Sequence, residues 1–474
     1  MKKFIGNKQF YKMILLIAVP IMIQNGITNF VGMLDNIMVG QVGTTQMSGV
    51  AIINQLMLVF NVTIFGAVSA AGIFGAQYYG CRDYEGVRNS FRFKMMICIG
   101  IGILSIILFI FKGDALISLY LHEGSDLKEC QNTLYYAKEY LIVMLFGLLP
   151  FAVEEAYSST LRETGETVLP MKAGIVAVLV NLVFNYIFIF GKLGCPPMGA
   201  AGAAIATVIS RFVQAAIVVV WTHRHLGREE QENIKGVKRV PFMKDVYSTL
   251  RVPGYLAGRI AIKGTPLLIN EALWSIGMAG LMQCYSIRGL SVVAGMNISN
   301  TISNVFAVVY MAMGSAIAII LGQLLGAGKM EEAKDHAGKL IFFSVTSCIV
   351  IGLLMTLISS VFPQIYKTSD EIKGLAEQLI IIAAICMPLN AFTNASYFTL
   401  RSGGKTVVTF LFDSVFVWTV SIPAAYVLSR YTDLPIVPLY LICQSLEIIK
   451  CIIGFILVRK GVWIQNMTHH EERY

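Results

Sequence analysis

Charge is scarce in this chain. Of 474 residues, 14% are charged against 56% hydrophobic, and mean hydropathy is +0.68, whereas a water-soluble globule carries about 25% charge. A soluble fold is excluded, and lipid is the expected solvent. Histidine is equally scarce: all six, at 122, 223, 225, 336, 469 and 470, fall in loops or tails. That argues against an intramembrane metalloenzyme or haem site, whose ligands would have to lie within the spans. The nine cysteines are scattered with no CxxC pair, so they read as packing thiols. Walker, GxGxxG and GxSxG patterns with strand context are missing, as is a nucleophile and base paired within an apolar run. An ATP-driven mechanism, an enzyme and a bound cofactor are therefore not expected.

What the chain has is long apolar runs. Stretches able to cross about 30 Å of hydrocarbon recur near 13–39, 49–79, 92–111, 134–159, 168–190 and 199–222, then near 263–286, 292–325, 340–361, 376–399, 406–428 and 436–458. They lack the alternation of barrel strands, and a backbone in lipid must satisfy itself, so twelve transmembrane helices are expected.

The second six runs repeat the first six. Residues 18–92 match 264–338 at an offset of 246, pairing Pro20 with Pro266, Gly43 with Gly289, Gly49 with Gly295, Asn54 with Asn300, Gln77 with Gln323, Gly80 with Gly326 and Glu85 with Glu331. At an offset of 239, Leu161, Arg162, Gly165 and Thr167 pair with Leu400, Arg401, Gly404 and Thr406. The expected organisation is an N-lobe at 1–225, an inter-lobe cytoplasmic loop at 226–250 and a C-lobe at 251–474. Six spans per repeat is an even number, so the lobes face the same way about an axis along the membrane normal.

Both termini then share one side. That side collects 27 of the 37 Lys and Arg, the other eight, and Arg211 and Lys450 lie within spans. The positive-inside rule makes the termini cytoplasmic in a multi-pass protein of the cell membrane. The net charge of +9 is thus topology and gives no reason to expect nucleic acid. A doubled membrane protein of this kind is usually a transporter, with a site between rocking lobes. Two internal lobes suffice for a functional monomer, with membrane lipids as the surrounding partners.

Local motifs narrow the reading. The run VLVNLVFNYIFIFG places Asn181 and Asn185 on one helix face. It is followed by MGAAGAAIATVISR, a small-residue segment ending in Thr207, Ser210 and Arg211 that permits close helix packing. With LDNIMVG around Asp35 and the paired LRxxGxT loops, these segments resemble the multidrug and toxic-compound extrusion (MATE) family over residues 11–460. The resemblance implies two six-helix lobes around a V-shaped central cavity, exporting organic cations or amphipathic toxins in exchange for inward H⁺ or Na⁺. It also implies a cation site, Na⁺ or proton, at Asp35, Asn181, Asn185 and Thr207. Glu271 matches in kind an acid that some members carry on the seventh helix; the acid others carry on the tenth is absent, with Thr393 and Asn394 in its place.

The remaining buried polar residues are weighed by cost, since an ionised group in a span needs a partner, water or a proton. The repeat maps Gln24 and Asn25 onto Asn270 and Glu271, just after a helix-bending proline in each lobe. Arg211 and Lys450 are equivalent at the 239 offset; Glu154 or Glu155 is the expected partner of the first and Glu447, three residues away, of the second. Asp413 takes the position of Gly174 and is a coupling candidate or a second partner of Lys450. Phe30, Met33, Tyr157, Trp274 and Met278 are candidates to line the cavity beside these polar positions, offering adaptable thioether and π surfaces. The alternative function is a lipid-linked precursor flippase, whose cavity would call for several arginines rather than acids.

Overall fold

The computed structural model describes residues 4–120, 127–226, 240–366 and 368–468, with the side chains of Val31, Met33, Asn36, Ile37, Thr44, Leu127 and Glu129 outside the description. Every regular element among them is helical. In chain order these are α1 (Lys8–Gly40), α2 (Thr44–Gly80), α3 (Tyr84–Ser118), α4 (Leu127–Leu145), α5 (Leu148–Glu163), α6 (Val168–Phe190) and α7 (Gly199–Arg224). The second repeat gives α8 (Gly254–Ser286), α9 (Leu290–Gly326), α10 (Met330–Ile358), α11 (Asp370–Ser402), α12 (Thr406–Phe410), α13 (Ile422–Tyr431), α14 (Ile436–Ser445) and α15 (Glu447–Lys460).

Among the described residues, ten spans, with α12–α13 and α14–α15 each counted as one, are long and apolar enough to cross a membrane, and α4 with α5, bent by 48°, makes an eleventh. The twelfth helix is α8, 33 residues long. Pro266, Asn270 and Glu271 interrupt its apolar run. The protein is an all-helical, multi-pass membrane protein.

The described residues form two compact units, one from 23–75 and 83–260, the other from 1–22, 76–82 and 261–474. Packing and sequence repeat are thus different divisions: the start of α1, up to the turn after Pro20, and the last turn of α2 belong with the second repeat. The reason is visible in the core of that unit. Phe10, Ile14, Ile17 and Ile21 are buried with Ala316, Ile320 and Leu340 of α9 and α10, giving one face of α1 a continuous apolar partner.

The repeated glutamines and glycines explain the end of α2. A Cβ on Gly80 would stand 2.0 Å from the Gln323 carbonyl oxygen, and one on Gly326 1.9 Å from that of Gln77. Two equivalent turns cross backbone to backbone, and only glycine permits it. Gln77, fully buried, then ties down the chain beyond α15: its Nε2 donates to the carbonyls of Ser402 at 2.9 Å and Gln465 at 3.2 Å, and its Oε1 accepts from the Met467 amide at 2.7 Å. Gly326→Ala is expected to lose roughly 1–3 kcal/mol to overpacking, read as a lowered unfolding midpoint in detergent. Gly100→Ala, where a Cβ meets nothing within 4 Å, should hold or slightly raise it.

Candidate functional site

The first polar cluster lies in the unit containing α6 and α7. The small residues of α7 let it approach α6 closely: a Cβ on Gly202 would lie 2.7 Å from the Phe188 carbonyl carbon. Gln46 fixes the start of α7 by accepting from the Ala200 amide at 2.8 Å. This contact brings Thr207 to the face of α6 that carries Asn181 and Asn185, both buried. Asn181 Nδ2 donates to Thr207 Oγ1 at 3.2 Å, and Asn185 Nδ2 donates to Asn181 Oδ1 at 3.0 Å and to Asp35 Oδ1 at 2.5 Å.

The sequence-predicted quartet is therefore brought together as one hydrogen-bonded chain. Asn185 Oδ1 is buried with no hydrogen-bond partner among the described residues. A buried amide oxygen left without a donor costs about 1–3 kcal/mol, and here it stands beside a carboxylate. One carboxylate, two amide oxygens and a hydroxyl make a hard-oxygen donor set, suited to a proton or a small alkali cation and unsuited to a soft transition metal.

The second cluster lies in the unit containing α8. Between α12 and α13 the chain widens into two π-helical turns, Leu411–Val415 and Val417–Ser421, a form that recurs at functional sites. The first turn presents Asp413 and Ser414 to α8. Asn270 Nδ2 donates to Asp413 Oδ2 at 3.2 Å and Tyr397 Oη at 3.4 Å, while Ser414 Oγ donates to the Asn270 side-chain and main-chain oxygens, each at 2.7 Å. Lys450 Nζ stands 3.2 Å from Asp413 Oδ1 and 3.4 Å from Glu447 Oε2, and within 6 Å of the rings of Phe412 and Phe416. Glu271 is within electrostatic reach of Asp413 and Arg401, and Arg401 lies over the Phe398 ring at 5.2 Å.

The repeat carries this contact into both units. A Cβ on Gly174 would touch Gln24 Cγ at 3.4 Å, so the pair Gln24 and Gly174 occupies the place that Asn270 and Asp413 occupy in the other repeat. Asp35 lies eleven residues beyond Gln24 on α1, roughly 16 Å along a helix. The two clusters are consequently not symmetry mates: they sit at different levels of the repeated fold.

Other expectations fare differently. Arg211 does not meet Glu154 or Glu155: its Nη1 donates to the Gly147 carbonyl at 3.3 Å and its guanidinium lies over Phe151 at 4.9 Å. Glu155 is paired with Arg162, and Glu154 accepts from Ser158 one turn on and from Gln214 of α7, so both acids of α5 are engaged elsewhere. Tyr157, a candidate cavity residue, is packed inside its unit. It is 1% exposed, with its hydroxyl 2.9 Å from His223 Nε2 and 2.5 Å from the Tyr247 hydroxyl, because its face of α5 packs on α3 and α7. Partial burial raises the Tyr247 hydroxyl above its ordinary range. Asn270 is likewise buried, its amide engaged as described. Asn25 is half-buried, and Phe30 and Trp274 are exposed at 56% and 38%; Met278, 45% exposed, does line a cavity, the one between α8, α9, α11 and α14. The Met33 side chain lies outside the described residues.

One charged pair was missed. Lys94, counted by the sequence reading as a loop cation, is fully buried in α3, with Nζ 2.5 and 2.7 Å from the two Glu163 carboxylate oxygens and 3.1 Å from Thr160 Oγ1. Gly72 and Gly75 open the space for that carboxylate, since a Cβ on either would fall within 2.6 Å of it. The usable signal was the apolar run itself, which begins near residue 92 and so already contains Lys94.

A doubled helical membrane protein with a carboxylate-bearing polar cluster in each unit has the build of a transporter. Comparison with known proteins gives the family. A family model described as MatE matches residues 20–187 and 266–427, one match in each repeat. The chain belongs to the MatE family of membrane transporters. It is 25% identical over 462 residues to a probable multidrug resistance protein NorM of Thermotoga maritima, covering 98% of this chain and 95% of that one. It is 26% identical over 436 residues to a protein of the same description from Oceanobacillus iheyensis, covering 90% and 91%. Among solved structures, a multidrug resistance MATE family transporter of the MOP superfamily in an outward-facing conformation superposes with a TM-score of 0.82 at 20% identity over 97% of both chains. The Vibrio cholerae MATE transporter VcmN gives 0.82 at 16% identity over 98% and 99%.

Proposed function

We propose that the chain is a secondary multidrug efflux antiporter, exporting organic cations or amphipathic toxins in exchange for inward H⁺ or Na⁺. The observation that carries this reading is the Asp35 cluster: a carboxylate on α1, hydrogen-bonded to Asn185, beside a buried amide oxygen with no partner among the described residues. Asp35 holds the coupling ion as a proton on its carboxyl group or as Na⁺ shared with oxygens of Asn181, Asn185 and Thr207. An organic cation and the coupling ion compete for the same negative charge, so binding of one favours release of the other. Glu271 and Asp413 form the second coupling locus, with Lys450 and Glu447 holding Asp413 in place. The repeats at 1–225 and 251–474 alternate access as lobes, joined by the loop at 226–250. The termini face the cytoplasm of the cell membrane, and one copy suffices. Support for the substrate class comes from the multidrug names of the relatives.

The coupling is tested without a membrane. Purified protein in weakly buffered detergent solution, titrated with a fluorescent organic cation, is expected to release protons on binding or to lose affinity as Na⁺ rises. Cation binding with neither response rejects competition at Asp35.

A further inference from the structure

The unit built on the second repeat has a partly open cavity that neither polar cluster occupies. Its volume is about 200 Å³, and it is lined from α8, α9, α11 and α14. Four methionines, Met282 and Met296 among them, and three tyrosines supply most of its surface. The polar lining consists of Asn300, Ser303, Asn390 and Gln444, and no lining side chain carries a charge. Ser303 Oγ is buried with no hydrogen-bond partner among the described residues.

The repeat gives this composition its meaning. Leu281, in the lining, is the equivalent of Asp35 at the 246 offset, and Gln444 is the equivalent of Ile205, two residues from Thr207. The cavity therefore stands at the level in the second repeat where the first repeat builds its carboxylate cluster. There the acid and its hydrogen-bonded amides suit a cation. Here the acid is replaced by leucine, and soft, neutral groups surround a space.

We propose that this cavity binds a small, uncharged, single-ring aromatic compound bearing one hydrogen-bonding substituent, such as a benzamide or a phenol. Size sets the first limit: the cavity is smaller than the roughly 300–1,000 Å³ of sites for drug-sized ligands, so it takes one ring and not a polycyclic dye. Thioethers at ring edges and tyrosine faces provide the aromatic contacts. The amides and the unpaired Ser303 hydroxyl receive the polar substituent, which relieves a buried group otherwise unsatisfied. Charge is excluded by energy, since ring quadrupoles contribute about 2 kcal/mol to a desolvated cation, less than the several kcal/mol its burial costs without a counter-ion. The site adds an uncharged class to the organic cations proposed above and does not depend on that reading.

The test uses 4-fluorobenzamide as probe, followed by ¹⁹F NMR with the purified full-length protein in detergent, and 4-fluorobenzylammonium as its charged counterpart. Native protein should show saturable benzamide binding beyond that of protein-free micelles, and none for the ammonium. Ala383→Phe, which fills the cavity from its wall, and Gln444→Leu, which keeps the volume and removes the amide, should each weaken binding at least tenfold while unfolding at the native temperature. Should the phenylalanine variant fail to fold, the leucine variant alone decides. No saturable binding, undiminished binding by the folded variants, or equal binding of the ammonium overturns the proposal.

Discussion

Asp35→Asn is expected to leave a folded protein whose gradient-driven efflux falls at least tenfold, a loss of about 1.4 kcal/mol or more in coupling. The substitution is informative because of the geometry around it. Asp35 Oδ1 accepts from Asn185 Nδ2, and an asparagine oxygen at the same place can accept the same bond without the charge assistance. The hydrogen-bonded chain to Asn181 and Thr207 is kept, while the charge and the protonation site are removed. Efflux assays in proteoliposomes, with size-exclusion behaviour as the folding control, read the two effects separately. Undiminished coupling in the variant would remove Asp35 from the mechanism and leave Glu271 and Asp413 to carry it.

The second large effect concerns stability. Lys94→Leu should cost about 3–5 kcal/mol, the usual result of stripping a buried carboxylate of its counter-charge. Glu163 then loses the ammonium that stands 2.5 and 2.7 Å from its two oxygens, while its carboxylate stays wedged against Gly72 and Gly75. At the equivalent positions the second repeat has Leu340 and Ser402, so the fold itself supplies the uncharged solution. Lys94→Leu combined with Glu163→Ser should recover most of the loss, because an apolar replacement of a whole buried pair is often neutral. Thermal unfolding of the two variants in one detergent checks this. If the double variant is no more stable than the single one, the pair contributes through packing rather than through charge compensation.

Much of this was legible in the sequence, for reasons that particular residues make plain. The repeat register paired Gln24 with Asn270 and Gly174 with Asp413; that the members of each repeat meet across their helices is what the structure adds. Asn181 and Asn185 were readable because a four-residue spacing on an apolar helix admits only one common face. Thr207 came from the family resemblance, and the small-residue run explains why α7 can bring it onto α6. What was not legible was partner choice among several nearby charges. Glu155 could pair with Arg211 or with Arg162, and only the fold shows it with Arg162. The widened turns around Asp413 also left no pattern, since π-helical geometry arises from packing across the helix and not from a residue spacing. Lys94 was hidden by counting it with the loop cations, although it lies inside the apolar run at 92–111 and well within the 35 residues of α3.

The most direct test of the account follows a fluorescent organic cation in proteoliposomes carrying the native protein, with a pH gradient and a Na⁺ gradient imposed separately. The account predicts movement of the cation against its own gradient, driven by one of the two ions and abolished when that gradient is collapsed. Cation movement that ignores both gradients, or none for any of several cations, would contradict it.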